Sequence, residues 1–244
     1  MVRVCSSIEG SVAPESTFPR ELSVLVNDRS AAMPTHMFGV YSRENPPAGE
    51  KRRLTIYPQH AIVWAAHCAS LPTLPASNPQ PPASPTDRLT LPVVPLRLPD
   101  PESFPLLSTY LYTHRLELLL QNLLPAPPPA ANADAEVLMG YARMLARTFT
   151  GHALYEHLMK LQGLWKNSTS LGIFEPGLWA MIDLVWEILV NALSICHENP
   201  HADTIPPPMP AKTFPCSYAM ETDPAPMPTP APVPVPSSPL RAQL

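Results

Sequence analysis

Two carboxylates four residues apart are the first candidates for chemistry in this sequence. Asp183 and Glu187 would share one face of a helix, because residues four apart lie one turn above each other. Such a pair can transfer protons or bind a metal ion. No third ligand stands at a linked spacing, so we favour a solvated helix face or pairing with basic residues of neighbouring helices. An acid–base or metal-dependent enzyme remains the weaker alternative.

Histidine and cysteine form three loose groups along the chain. The groups are His60/His67/Cys68, His152/His157 and Cys196/His197/His201. None has the paired spacing of a structural zinc site. The two histidines of the second group lie five residues apart, so they do not share a helix face well. The sequence therefore predicts no metal site and no cofactor.

Other catalytic signatures are missing as well. The Gly49-Glu50-Lys51 triplet lacks the upstream glycine and the following hydroxyl residue of a phosphate-binding loop. No serine stands in the Gly-x-Ser-x-Gly pattern of an α/β-hydrolase nucleophile. We therefore expect a protein that is not an enzyme and has no catalytic residues.

Charge and composition limit the partners that the chain can bind. The 244 residues carry a net charge of −4, and only 15% of them are charged. Direct binding of nucleic acid or of an acidic membrane is therefore not expected, and the lone basic triplet Lys51-Arg52-Arg53 does not change that. The mostly apolar residues 178–196 are interrupted every fourth position by Asp183, Glu187 and Asn191. That pattern favours a core helix with one polar stripe over a membrane span.

An intracellular location, in the nucleus or the cytoplasm, is expected. The N-terminus lacks the apolar run of a secretory signal, and the four cysteines are scattered, which favours free thiols over disulfides. The glycosylation pattern at Asn167-Ser168-Thr169 would then never meet its enzymes.

The elements that would position these residues are mainly helices. Apolar residues recur at helical spacing in five stretches. They are 58–70, with Pro58 in the first turn; 103–124, as two short helices or one kinked helix; 134–149, capped by Asp134 or Asn132; 150–171, stopped by Gly172; and a longest helix from Pro176. One short strand is predicted at residues 22–26. Residues 90–101 read as an extended edge or irregular segment, because Pro92 and Pro95 do not suit a central strand.

The predicted fold is thus mostly α, a small helical core with proline-rich linkers and a disordered proline-rich tail. We expect a weakly structured segment at 1–53, the helical core at 54–199 with a linker at 72–88, and the tail at 200–244. Proline makes up 36 of the 244 residues and alternates through much of the tail, which predicts an extended polyproline segment.

Three segments carry a resemblance to a known family. They read YPQHAIVWAAHCASLPTLP, LPVVPLRLPDPESFPLLSTYLYTHRLELLLQNLLP and LMKLQGLWKNSTSLGIFEPGLWAMIDLVWEILVNAL. In this order they resemble the clampless protein family of mushroom-forming and related fungi. The resemblance implies an intracellular regulator of sexual development and clamp-cell formation that acts through contacts with proteins. It supplies no catalytic residues.

Two further interpretations stay open beside that one. The stretch PESFPLLSTYLYTHRL is similar to the strand-to-helix region of BTB domains, although His114 stands where those domains usually have a glycine. This implies a divergent BTB-like adaptor as an alternative. A transcription cofactor is another, with the tail and its Ile205-Pro206-Pro207-Pro208-Met209-Pro210 run as a docking segment.

Aromatic and leucine side chains of the core are the candidates for partner contact. Trp64, Trp165, Trp179 and Trp186 lie in apolar helical phases, so we expect core anchors first and partner contacts second. The residues that we name as partner-contact candidates are Phe104, Leu107, Tyr110, Tyr112, Trp165 and Trp179.

Overall fold

The fold combines a β-sheet with helices, so the mostly α prediction is wrong. We describe it from a computed structural model that covers residues 8–12, 19–25, 33–47, 50, 52–80, 88–129 and 133–198. Within those residues, five strands and six α-helices are present. The predicted tail at 200–244 and most of the second half of the 72–88 linker lie outside the described residues, while residues 72–80 have no regular secondary structure.

The bounds of the elements are as follows. The strands are β1 Ile8–Val12, β2 Glu21–Leu25, β3 His36–Ser42, β4 Arg52–Gln59 and β5 Arg88–Leu98. The helices are α1 Ala61–His67, α2 Phe104–Thr113, α3 Leu116–Leu123, α4 Ala135–Thr148, α5 Gly151–Leu171 and α6 Pro176–Glu198, with a 3₁₀ turn at Pro101–Ser103.

The sheet is mixed, with strand order β1-β4-β3-β5-β2. β5 pairs in parallel with β3 and the other three pairings are antiparallel. The prediction that β5 would be an edge strand is wrong, because β5 lies between β3 and β2 in the sheet. Its prolines are nevertheless accommodated, because in the described part of the chain the register with β2 covers residues 88–92 and the register with β3 covers residues 93–98. At each position a single neighbour needs the ladder hydrogen bonds, so proline costs less there.

The helix predicted over 58–70 begins later than expected. Pro58 lies in β4, opposite Met37 of β3, and α1 starts only at Ala61. The sequence favoured a helix because proline suits a first turn, but the strand keeps its pairing through Gln59.

The C-terminal helices agree with the predicted starts and stops. The Asp134 side chain accepts a hydrogen bond from the Val137 N–H at 2.9 Å, and the Thr150 hydroxyl accepts one from Ala153 at 3.3 Å. Gly172 ends α5 with a φ of 64°, a left-handed conformation that glycine adopts without steric cost. Residues 103–124 form the two short helices α2 and α3.

One large core joins the sheet to the helices. The indole of Trp64 stacks on Phe104 with 5.0 Å between ring centres and packs against Phe38 at 5.4 Å. Its Nε1 donates a 2.9 Å hydrogen bond to the buried side chain of Gln59. Burial of such aromatic surfaces is the main favourable term that holds α1 and α2 on the sheet.

A buried polar contact holds α5 against the turn that follows β5, and we call it the Asn167 junction. The fully buried Asn167 side chain donates to the Asp100 carbonyl at 2.6 Å and to Ser103 Oγ at 2.8 Å. Its Oδ1 accepts from the Asp100 N–H at 3.1 Å. The glycosylation pattern at Asn167 therefore serves packing, because no glycan can be attached to a side chain that is fully enclosed.

Candidate functional site

Three of the six predicted contact residues lie in the core. Phe104 and Leu107 are fully buried, and Tyr110 is nearly so. All three lie on α2, whose buried face packs toward the sheet and the longer helices. In this conformation they support the fold.

The other three candidates are more accessible. Tyr112 and Trp179 are half-buried, and each is fixed by a hydrogen bond: the Tyr112 hydroxyl accepts from the His60 N–H at 2.8 Å, and Trp179 Nε1 donates to the Ile173 carbonyl at 2.9 Å. Trp165 is exposed on α5, although a core position was expected first. Its contact with a partner stays a prediction.

The carboxylates Asp183 and Glu187 lie on the exposed face of α6. Its opposite face, which includes Leu178, Ile182 and Leu189, is buried against other helices. In the part of the chain that the structure describes, α6 is the one helix long and apolar enough to cross a membrane by length and composition. Its packing agrees with the predicted core helix carrying a polar stripe.

Two histidines and a glutamate converge at a place that the sequence did not indicate, and we call them the His–Glu cluster. His67 Nδ1 lies 2.9 Å from Glu175 Oε1, and His114 Nδ1 lies 3.4 Å from the same oxygen. The two imidazole rings have their centres 4.8 Å apart. One nitrogen from each ring and one carboxylate oxygen all fall within 4.8 Å of one another.

Three helix ends position the cluster. His67 is the last residue of α1, His114 follows α2, and Glu175 directly precedes α6. His114 is the sole non-glycine residue with a positive φ, 50°, in the described part of the chain. This left-handed conformation is unfavourable for a residue with a Cβ, and such strain is often found at functional sites.

The loop between α5 and α6 is fixed by backbone pairing. The Ala69 N–H donates to the Gly172 carbonyl at 3.1 Å, and the Ser70 N–H donates to Leu171 at 2.9 Å. Cys68 and Ile173 form an isolated β-bridge beside them. Glu175 therefore approaches the end of α1 on a segment that main-chain hydrogen bonds hold in place.

A tyrosine and a cysteine complete the surroundings of the carboxylate. The Tyr110 hydroxyl donates a 2.5 Å hydrogen bond to Glu175 Oε2, leaving Oε1 toward the histidines. Burial and the Glu175 carboxylate raise the pKa of Tyr110, so the phenol stays protonated and remains a donor. Burial, with a smaller contribution from Glu175, raises the pKa of the Cys68 thiol to about 12, so this cysteine is neutral at physiological pH.

A shallow cleft of about 290 Å³ opens beside the cluster. It is lined by His67, Glu175 and the exposed Phe174, together with small residues of α1 and the adjoining loops. Asp183 and Glu187 do not line it. The arrangement can exchange a proton between imidazole and carboxylate or coordinate a cation.

Sequence reasoning missed the cluster because its members lie far apart in the chain. His67 was considered with His60 and Cys68, but the structure pairs His60 with Tyr112 and leaves Cys68 as a buried thiol. One local signal existed, the histidine at 114 in a position that favours glycine. Glu175 carried none.

Comparison with known proteins gives a consistent answer for most of the chain. A family model described as the Clampless protein 1 N-terminal domain matches residues 1–99, and one described as the Clampless protein 1 C-terminal domain matches residues 117–232. Two curated relatives carry the name Clampless protein 1 and come from strains JEC21 and B-3501A of Cryptococcus neoformans var. neoformans serotype D.

Each of these relatives is 31% identical to the chain over 106 residues. The aligned part covers 43% of this chain and 21% of the relative, so the chain spans about a fifth of the length of the curated proteins it matches. No solved structure matches the chain significantly.

Proposed function

The chain belongs to the clampless protein family, which gives it a role in fungal development, and we propose that it performs this role by binding other proteins. The family is a developmental one and not an enzyme family. A non-enzymatic regulator of sexual development, acting inside the cell in clamp-cell and dikaryon formation, is the function that fits these facts best.

The exposed face of α6 is the observation that carries this proposal. Trp186 is 44% exposed and Val190 is 37% exposed, one helical turn apart on a helix whose other large apolar residues are buried or half-buried. Adjacent apolar side chains on a helix surface can be covered by another helix or a groove of a partner. Tryptophan in particular contributes strongly to binding when a partner covers it.

The charges beside this face indicate the chemistry of the partner. Asp183 and Glu187 are exposed on the same side of α6 as Trp186 and Val190. A partner surface with an apolar centre and lysine or arginine at its rim would complement both features. Direct binding of nucleic acid or membrane is not part of the proposal.

Two alternatives are retained with their own tests. A transcription cofactor would depend on the proline-rich tail, so deletion of residues 200–244 should abolish development in that case and leave it intact otherwise. A BTB-like adaptor would share the local order of extended β5 followed by α2, which is present here. Self-association of the purified chain through that region is what the adaptor hypothesis predicts.

A capture experiment with matched surface variants tests the proposal. The full chain serves as bait in extract from mating fungal cells, with bound proteins identified by mass spectrometry. The variant Trp186→Ala/Val190→Ala removes the α6 face. Tyr155→Ala/Met159→Ala is the control, since these side chains are also one turn apart, on α5, and are 51% and 42% exposed.

The proposal predicts that specific partners bind the wild type and the α5 variant but not the α6 variant. Both variants should remain folded with similar decreases in the unfolding temperature, because the side chains of both pairs are about half-buried. Equal capture by all three proteins would contradict the role of the α6 face.

A further inference from the structure

We propose that His67, His114 and Glu175 form a binding site for a divalent transition-metal ion, with Zn²⁺ as the preferred occupant. The ion would connect the end of α1, which lies in the region of the N-terminal family model, to the start of α6 in the region of the C-terminal one.

The types of ligand fit zinc. Two imidazole nitrogens and one carboxylate oxygen are the protein ligands of many zinc sites that keep a fourth position for water. Zn²⁺ is also favoured over Mg²⁺ and Ca²⁺ by imidazole, because the latter two ions prefer an all-oxygen shell.

Two of the three separations between the ligand atoms fit as well. Ligands at zinc's usual bond lengths of about 2.0–2.1 Å lie about 3.3 Å apart in a tetrahedral site. The His114 and Glu175 ligand atoms are 3.4 Å apart, and the His67 and Glu175 atoms are 2.9 Å apart. The nitrogen atoms of the two imidazoles lie within 4.8 Å of each other, so binding of an ion requires the rings to move closer by up to about 1.5 Å.

Tyr110 orients the carboxylate in the way that metal sites use. Its hydroxyl holds Glu175 Oε2, so a single oxygen, Oε1, faces both imidazole Nδ1 atoms. Ligating carboxylates are commonly hydrogen-bonded by such an outer group, which fixes their direction. A simple ion pair would need one histidine, whereas here two histidines converge on one oxygen.

The position of His114 is a second, independent reason. The chain adopts an unfavourable left-handed conformation at a histidine, and that conformation brings the ring to Glu175. A glycine at this C-cap would avoid the strain. The histidine side chain therefore has a use that offsets the backbone cost, and metal binding supplies one.

The cluster is accessible to an ion from solvent. His67 and Glu175 are about one quarter exposed and His114 is half exposed. The cleft beside them is lined by Ala65, Ala66 and Ala69, whose small side chains leave space for a water molecule as the fourth ligand.

Metal titration of the full chain tests this assignment. The protein is stripped with a chelator, dialysed and titrated with Zn²⁺ by calorimetry, and bound metal is measured by elemental analysis. We expect about one ion per chain and a rise in the thermal midpoint. Titration with Co²⁺ should give the intense visible absorption of a four-coordinate site.

Four variants make the result specific. Glu175→Gln and His114→Gly should each weaken binding by more than about 100-fold, and Tyr110→Phe by about 10–100-fold. His152→Ala is the matched control, because His152 lies 3.5 Å from Glu156 on the surface of α5 without a third ligand. Its affinity for Zn²⁺ should equal that of the wild type.

The glycine variant guards against loss of folding. His114→Gly relieves the left-handed strain, so it should melt at or above the wild-type temperature in chelator and show no further rise with Zn²⁺. The proposal is overturned if the wild type takes up no ion, or if Glu175→Gln and His114→Gly bind Zn²⁺ as the wild type does.

Discussion

Two polar junctions join separate elements of the fold, and they are built in opposite ways. At the Asn167 junction every polar group of the asparagine side chain has a partner, and the side chain is fully enclosed. At the His–Glu cluster the ligand atoms are partly exposed beside a cleft. The closed junction can only stabilise the fold, whereas the open one can also take a ligand.

The largest expected effect is the loss of the closed junction. Asn167→Ala leaves the Asp100 N–H and Ser103 Oγ without this partner in a buried place, which should lower the free energy of unfolding by about 3 kcal/mol. Asn122→Ala is the control, since that amide is exposed on α3, and it should change stability by under about 0.5 kcal/mol. Urea unfolding measures both. If Asn167→Ala and Asn122→Ala both lowered the free energy of unfolding by similarly small amounts, the Asn167 junction would contribute no more than a surface contact.

The same junction can be broken from its other side. A Cβ at Gly163 would lie 1.7 Å from Asp100 Oδ2, so Gly163→Ala should destabilise by about 1–3 kcal/mol despite its better helix propensity. A Cβ at Gly140 of α4 meets nothing within 4 Å, so Gly140→Ala should stabilise by about 0.5–1 kcal/mol. Chemical denaturation of the two variants gives the difference. Stabilisation by both substitutions would show that Asp100 moves aside freely.

A substitution in the His–Glu cluster should raise the stability of the chain when no metal is present, whereas Asn167→Ala lowers it. His114→Gly removes the left-handed strain and one partly exposed contact with Glu175, so in chelator it should stabilise the chain by about 0.5–1 kcal/mol. Thermal or urea unfolding with and without chelator measures this. A clear loss of stability in chelator would mean that the His114–Glu175 contact alone outweighs the backbone cost.

The smallest expected effect is a pH dependence of stability that arises from a histidine within the helical region. His157 Nδ1–H donates to the Leu123 carbonyl at 2.9 Å, and burial lowers the pKa of His157 from 6.5. Between the lowered pKa and 6.5 the unfolded chain binds more protons than the folded one. Stability should therefore fall as the pH drops below about 6.5, by under about 1 kcal/mol.

The variant His157→Asn keeps a donor near Leu123 but cannot titrate, so its stability should fall less over the same pH range. Unfolding in urea at about pH 5.5 and pH 7.5 measures the change for both proteins. The His114→Gly background should retain this part of the pH response. A pH response as large in His157→Asn as in the wild type would contradict the assignment to His157.

The helices and the strands differ in how well the sequence predicts them. The helices could be predicted because leucines recur at helical spacing and because Asp134, Thr150 and Gly172 mark ends with side chains suited to those positions. β4 contains Pro58, which favoured a helix start, and β5 contains Pro92 and Pro95, which favoured an edge or irregular strand. In β3 the first five residues are all buried, so the alternation that reveals a half-exposed strand is absent.

The candidate sites were hidden for a related reason. Helical spacing placed Trp186 in the apolar set, but it cannot tell which apolar residue a helix leaves uncovered. Which of them is exposed depends on how α6 packs against α3, α4 and α5. The His–Glu cluster requires the ends of α1 and α2 and the α5–α6 loop to meet, and only the tertiary fold decides that.

Development itself is the most direct test of the central claim that the chain acts through contacts of the α6 face. In the fungus that encodes it, a strain lacking the gene is supplied with the wild type, Trp186→Ala/Val190→Ala or Tyr155→Ala/Met159→Ala, each at the same protein level. We predict that the wild type and the α5 variant restore clamp-cell formation and that the α6 variant does not. Full restoration by the α6 variant would contradict the account.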